Sequence, residues 1–299
     1  MTLVHGTILG GLSTVPDLDA ALAAYRDTLG LALVEEGRVP AALAQAWGSP
    51  ASENARYAAL RPASRAPCWF RLVEQPDHPD FRPTTTYGWA AFECTVEDVW
   101  SWPDRLPVEQ FAMVGPPKEI IGIEPAFIPM QVLGPGREMV YLNQVLRDMP
   151  DSDLPRARSP VDRIFICVLA APDRQRAVTW YRDRLGLDRG MDFTIPYTMI
   201  NQAFGMPADT LTTLTMVAKG RLPIVEIDDY PAAATVRPRH AGFLPPGNAM
   251  VTLAVTDLGA CDVDWIAPPG ARSGALYERR RTGTTTGPVG ELLELVEVG

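Results

Sequence analysis

Two glutamates stand inside strands that are otherwise apolar, Glu226 in PIVEI (223–227) and Glu294 in ELLELVE (291–297). Successive side chains of a strand point to opposite faces, so Glu294 shares a face with Leu292 and Val296 and opposes Leu293 and Leu295. On a covered face such a carboxylate is a candidate for moving protons; on an outer face it is an ordinary solvated side chain. Arg71 interrupts WFRLV (69–73), where an unpaired guanidinium is costly. It either anchors a ligand carboxylate or enolate through a bidentate pair or neutralises a carboxylate of the protein. Tyr141, in MVYLN (139–143), can donate to a developing oxyanion, or pack at a sheet rim with its hydroxyl in water. His240, in RPRHAGFLPPG (237–247), carries the side chain best suited to proton transfer near neutrality; a plain surface-loop histidine is the alternative.

The elements that must position these residues are written twice. PDLDAALAAYRDTLGL (16–31) and PDRQRAVTWYRDRLGL (172–187) align without a gap, and each predicts a helix opened by Asp17 or Asp173 and closed by Gly30 or Gly186. Tyr25 and Tyr181 fall on the core face of these helices, while the adjoining Arg26–Asp27 and Arg182–Asp183 read as surface charge pairs. QAWGSPA (45–51) answers QAFGMPA (202–208), a helical turn broken by glycine and proline. Apolar runs at 68–74 and 222–227 predict strands. WAAFECTVEDVWSWPDRL (89–106) and NAMVTLAVTDLGACDV (248–263) each predict a further strand handing over to a helix, and each half closes on a strand after a glycine turn, at 134–146 and 287–299. The polar, proline-rich segment 147–161 reads as a linker. The expected organisation is therefore a domain over 1–146, a linker over 147–161 and a domain over 162–299. Four strand–helix–strands units give an α+β fold in which helices lie on one face of mainly antiparallel sheets.

A net charge of −9 over 299 residues argues against nucleic acid, and no basic run suggests a membrane surface. The N-terminus lacks the pattern of a signal peptide, so the expected location is cytoplasmic. Cys68, Cys94, Cys167 and Cys261 are widely spaced without a CxxC pair and are expected as buried thiols. Trp47, Phe204, Trp69, Phe70 and Tyr197 either floor an apolar pocket or serve as core. The expected partner is a small organic molecule; a homodimer is compatible with the sheet edges.

The motifs VPDLxxAxxxYRDxLGL, its APD variant in the second half, the two internal strands ending VxD and the final GPxGxLLEL resemble the vicinal-oxygen-chelate superfamily of glyoxalases, extradiol dioxygenases and bleomycin resistance proteins. The resemblance covers nearly the whole chain and implies four βαβββ modules, paired into curved sheet cups that in this family usually hold a divalent metal. It implies ligand positions at Gly10 and Ile166, at Arg71 (or Glu74, if the VE dipeptides are paired instead) and Glu226, at Ala91 and Met250, and at Tyr141 and Glu294. Most of these cannot bind a metal, and His5, His78 and His240, the whole complement of histidines, occupy none of them. The expectation is therefore an enzyme without a cofactor, of isomerase, lyase or ring-opening type, acting on an aromatic or enolisable compound with Glu294 or Glu226 as the proton carrier. A non-catalytic binder is one alternative. A divalent-metal enzyme using Glu226 and Glu294 is the other. Lining of a cup implies partial desolvation, which raises a carboxylate pKa. The resemblance also leaves two wirings open: one pairs Arg71 with Glu294 and Glu226 with Tyr141, the other puts Glu226 beside Glu294.

Overall fold

The computed structural model describes residues 3–119 and 126–299. Among them the chain runs through four modules. The first contains β1 (Ile8–Val15), α1 (Leu18–Leu22), β2 (Ala32–Arg38), α2 (Ala41–Ala46), β3 (Arg56–Arg61) and β4 (Trp69–Glu74). The second contains β5 (Gly88–Val96), β6 (Ala112–Gly115), β7 (Phe127–Leu133) and β8 (Met139–Val145). The third contains β9 (Val161–Ala171), α3 (Arg174–Leu185), β10 (Asp188–Pro196), α4 (Thr198–Ala203), β11 (Leu211–Lys219) and β12 (Leu222–Asp229). The fourth contains β13 (Gly247–Val255), β14 (Trp265–Ala271), β15 (Arg281–Thr286) and β16 (Leu292–Glu297).

These strands form two curved eight-stranded sheets, ordered β14-β15-β16-β13-β1-β4-β3-β2 and β10-β11-β12-β9-β5-β8-β7-β6. The first module therefore joins the fourth, and the second joins the third. Each seam is antiparallel, with Leu12 opposite Met250 where β1 meets β13 and Phe92 opposite Cys167 where β5 meets β9. The segment 147–161 connects two modules of one sheet, and neither sheet is built from one half of the sequence. Strands β1, β5, β9 and β13 are central and covered on both faces, which is why they read as continuous apolar runs rather than alternating ones. One face of each sheet, together with α1 and α3, buries a single continuous core that includes Leu18, Tyr25, Phe92, Cys167, Tyr181 and Leu293. The opposite faces form the two cups.

The expected helices are present in reduced form. Asp17 and Asp173 cap as predicted, accepting from the amides of Ala20 and Arg176, and Gly186 closes α3 in the left-handed conformation at φ 64°. The first copy departs from this pattern: α1 gives way at Ala23–Thr28 to a π-helical turn in which Leu29 bonds back to Ala24. In the second and fourth modules the expected helix is a single 3-10 turn, at Val99–Ser101 and Leu258–Ala260. Pro103 and Pro107 in one segment and Gly259 in the other account for the shortening. Arg26–Asp27 and Arg182–Asp183 are exposed ion pairs. The four cysteines are free and buried.

Candidate functional site

The first cup, on the sheet shared by β1–β4 and β13–β16, is closed by charge. Strand alternation brings Glu294 of β16 to the cup face with Leu292 and Val296, leaving Leu293 and Leu295 in the core. Its Oε1 accepts from Trp47 Nε1 at 3.0 Å, Tyr277 OH at 2.9 Å and Arg272 Nη1 at 2.6 Å. Its Oε2 accepts from Thr252 Oγ1 at 2.8 Å and pairs with Arg71 Nη1 at 2.9 Å. Glu294 is wholly buried and Arg71 is 5% exposed. Arg71 also donates to the hydroxyls of Tyr277 and Thr252. The carboxylate therefore has five donors, and its lone pairs are saturated. Burial alone raises its pKa, but Arg71 and Arg272 outweigh that and hold it below the ordinary value of 4.5, the reverse of the expected rise. The arrangement of one ionised carboxylate between two guanidiniums, walled by Trp47 and Tyr277, is an internal counter-ion set.

The second cup, on β5–β8 and β9–β12, differs in every one of these respects. Glu226 of β12 occupies the position equivalent to Arg71, and Tyr141 of β8 the position equivalent to Glu294. They are joined through Tyr197, at the mouth of α4, whose hydroxyl donates to Glu226 Oε1 at 2.9 Å and lies 3.2 Å from the Tyr141 hydroxyl. Because Tyr197 gives its proton to Glu226, Tyr141 is the donor in the second bond. Glu93 of β5 sits opposite Tyr141 in the register, and accepts from the Asn143 side-chain amide. Asp228 lies two residues beyond Glu226 on the same face, 1% exposed. Burial pushes the Glu226 carboxyl up to about 7. Burial and then the neighbouring Glu226 push Glu93 and Asp228 well above their ordinary values. The tyrosines Tyr141, Tyr197 and Tyr230 are raised by burial as well, so they stay protonated as donors.

Around this floor the wall is apolar: Ala91, Val168, Ile200 and Leu214 are buried, while Tyr87, Phe193, Phe204, Met206 and Met216 are only partly so. Phe204 meets Tyr230 edge to face at 6.1 Å. Glu226 itself retains partial exposure, so the second cup opens toward solvent at its acid.

Of the residues singled out from the sequence, the fold thus brings Arg71 to Glu294 and Glu226 to Tyr141, the first of the two wirings. His240 joins neither group. Its ring stacks near His78 at 4.6 Å and touches Phe243, and its Nε2 meets the Asp77 carbonyl at 3.0 Å, on an exposed loop. Glu93, Asp228 and Asn143 were not singled out. A signal existed for two of them: Glu93 interrupts WAAFECTV just as Glu226 interrupts its strand, and the 226/228 spacing puts two acids on one face.

The donor sets suit a divalent metal poorly. In the first cup a cation would face Arg71 and Arg272, and a side chain at Gly10 would run into the Trp69 carbonyl oxygen of the neighbouring strand. In the second, Ile166 and Ala91 provide no ligand atom, and among the described residues no group of three or more His, Cys, Asp or Glu side chains is arranged to hold a metal ion. No helix among the described residues is long and apolar enough to cross a membrane.

Residues 8–121 match the Glyoxalase/Bleomycin resistance protein/Dioxygenase superfamily. Glyoxalase I from Zea mays shares the fold with a TM-score of 0.62 at 17% identity, over 97% of this chain and 92% of the maize chain. A putative dioxygenase from Bacillus subtilis subsp. subtilis str. 168 shares it with a TM-score of 0.60 at 10% identity, over 99% and 86% of the two chains. No curated protein matches the sequence. The family match thus covers the first part of the chain, while the two-domain fold of glyoxalase I covers nearly all of it.

Proposed function

We propose that the second cup is the working site and that it carries out proton transfer next to a carbonyl of a small organic molecule without a metal. The observation that carries this reading is the chain Tyr141–Tyr197–Glu226, which ends on a partly exposed carboxyl in an apolar cup. Burial brings that carboxyl to about 7, the range in which a general base is both ionised and strong enough to act. Glu226 takes the proton from the carbon, and the electron pair of the broken C–H bond moves onto the carbonyl oxygen. Once Glu226 holds the proton it no longer draws on the Tyr197 hydroxyl, and the hydroxyls of Tyr197 and Tyr141, kept protonated by burial, turn to donate to that oxyanion. Return of the proton to an adjacent carbon gives an isomerisation; loss of a neighbouring group gives a lyase reaction. Glu294 and Arg71, saturated by one another and by Arg272, take no part in the step.

Exchange of α-hydrogens for deuterium, followed by NMR across a panel of enolisable carbonyl compounds, tests this directly. Glu226→Gln is expected to slow exchange by about 10²- to 10⁴-fold, with ligand-induced thermal stabilisation retained. An unchanged rate in that variant would sink the proposal. The half-buried aromatic and methionine rim also favours a second reading, a cup that binds without reacting. Ligands that raise the melting temperature yet exchange no hydrogen would select it.

A further inference from the structure

The second cup has more hydrogen-bond acceptors than donors, and the surplus is buried. Both carboxylate oxygens of Asp228 and the Oδ1 of Asn143 have no hydrogen-bond donor, although the two side chains are 1% and 0% exposed. Three donors nearby are committed, Tyr197 to Glu226, Tyr141 to Tyr197 and the Asn143 amide nitrogen to Glu93, and the neighbouring Tyr230 makes no hydrogen bond to Asp228. A proton shared between Asp228 and Glu226 satisfies one oxygen and leaves the others open. Among the described residues no Lys or Arg pairs with Glu93, Glu226 or Asp228. The cation closest in influence is Arg237, which acts on Tyr230 and spends its guanidinium on Thr86 and the carbonyls of Trp89 and Asn248. The first cup meets its one buried carboxylate with two guanidiniums; the second has three acids and supplies none.

Buried acceptors without donors are costly unless something brings the donors in. We infer that the second cup is selective for a ligand bearing a protonated primary amine, whose N–H groups are taken by Asp228, Glu226 and the Asn143 carbonyl. An ammonium brings three donors and the missing positive charge together. The tyrosine faces of the cup suit the same group, since an aromatic ring attracts a desolvated cation. The partly exposed Phe193, Phe204 and Met206 then face the organic body of the ligand. Asp228 and Asn143 are here positioning residues; Glu226 keeps its place as base.

This inference names the substrate class of the site proposed above and rests on that cup being the ligand site. The test is calorimetric titration of the full-length protein at neutral pH with matched sets on one skeleton: benzylamine, benzyl alcohol and benzoate, then butylamine, butanol and butyrate. The amine is expected to bind about 10- to 100-fold more tightly than its alcohol, with no binding of the carboxylate. Asp228→Asn and Glu93→Gln are each expected to erase most of that preference; Glu93→Gln serves if the first variant does not fold. Equal or better binding of the alcohol or carboxylate in both sets overturns the inference, as does an amine preference that survives both substitutions. Failure of the proton-transfer reading looks different: amines bind and depend on Asp228, but no exchange is catalysed. Loss of amine selectivity with exchange intact leaves that reading standing and removes this one.

Discussion

Glu226 and Glu294 are the same side chain in equivalent kinds of place, two strands from a seam on the concave face of a sheet, and their surroundings push them in opposite directions. With Arg71 and Arg272 against it, the Glu294 carboxyl is held below its ordinary value and favours the ionised form. Removing its charge strands two buried guanidiniums, so Glu294→Gln is expected to lower stability by about 3–5 kcal/mol in urea denaturation while leaving α-hydrogen exchange at the second cup unchanged in the surviving folded protein. The sign of its pH dependence follows from its lowered pKa: its contribution is fully present above the unfolded value near 4.5 and is lost as pH falls through the folded one. At this scale the sequence was legible wherever a polar residue broke an apolar strand. Arg71, Glu226, Glu294 and Tyr141 all lie in the cups for that reason. It offered Arg71 as a partner for Glu294 but gave no sign of the second cation, because Arg272 and Tyr277 reach Glu294 from a segment with no pattern of its own. Tyr197 was visible only as an aromatic, and its role depends on a hydroxyl position that spacing does not determine.

Helices and hairpins are tied together by a device that occurs twice. Tyr25, in the π-helical turn after α1, donates to Glu138 at the start of the β7–β8 hairpin's second strand, at 2.7 Å; Tyr181 of α3 donates to Glu291 at the β15–β16 hairpin, at 2.8 Å. Each glutamate also accepts backbone amides of its own turn, from Gly136 and Val289. Burial raises both carboxyls to about 7. The folded state therefore holds these protons more tightly than the unfolded chain. Their contribution to stability is complete below about 4.5 and is lost as pH rises toward 7. Urea denaturation between pH 5 and 8 is expected to show stability falling across that window, and Glu138→Gln with Glu291→Gln to flatten the slope. A slope unchanged in the double variant would refute the assignment. The repeats foretold both helices with their aspartate caps, since capping is local chemistry. They did not foretell that the tyrosines of the YRD triplets carry a buried bond to a distant turn, nor that the helices of the second and fourth modules shrink to single turns around proline and glycine.

For the whole molecule, fold class and fourfold repetition were readable because each module carries its own start and stop signals, whereas the partnering of modules was not, because it is decided at two seams between strands with the same apolar character. Those seams also differ in what they ask of a folding chain. β5 finds β9 once the intervening strands β6–β8 and the segment 147–160 have been made, but β1 must wait for β13, near the other end of the sequence. The first cup thus has the higher contact order of the two, and closure of its longer loop is expected to limit the rate of folding. Near either end of the described residues, Gly6 bonds to the carbonyl of Ala254 and Val298 to that of Val255, so these two segments lie side by side. A circular permutant that joins them and opens within 76–87 makes both pairs of modules consecutive while keeping every strand contact. It is expected to refold faster than the parent in stopped-flow measurements with a similar unfolding rate; an unchanged refolding rate would show that the β1–β13 seam is not the slow step. In this topology the cup with the open carboxyl can assemble first, and the cup clamped by arginines completes the molecule.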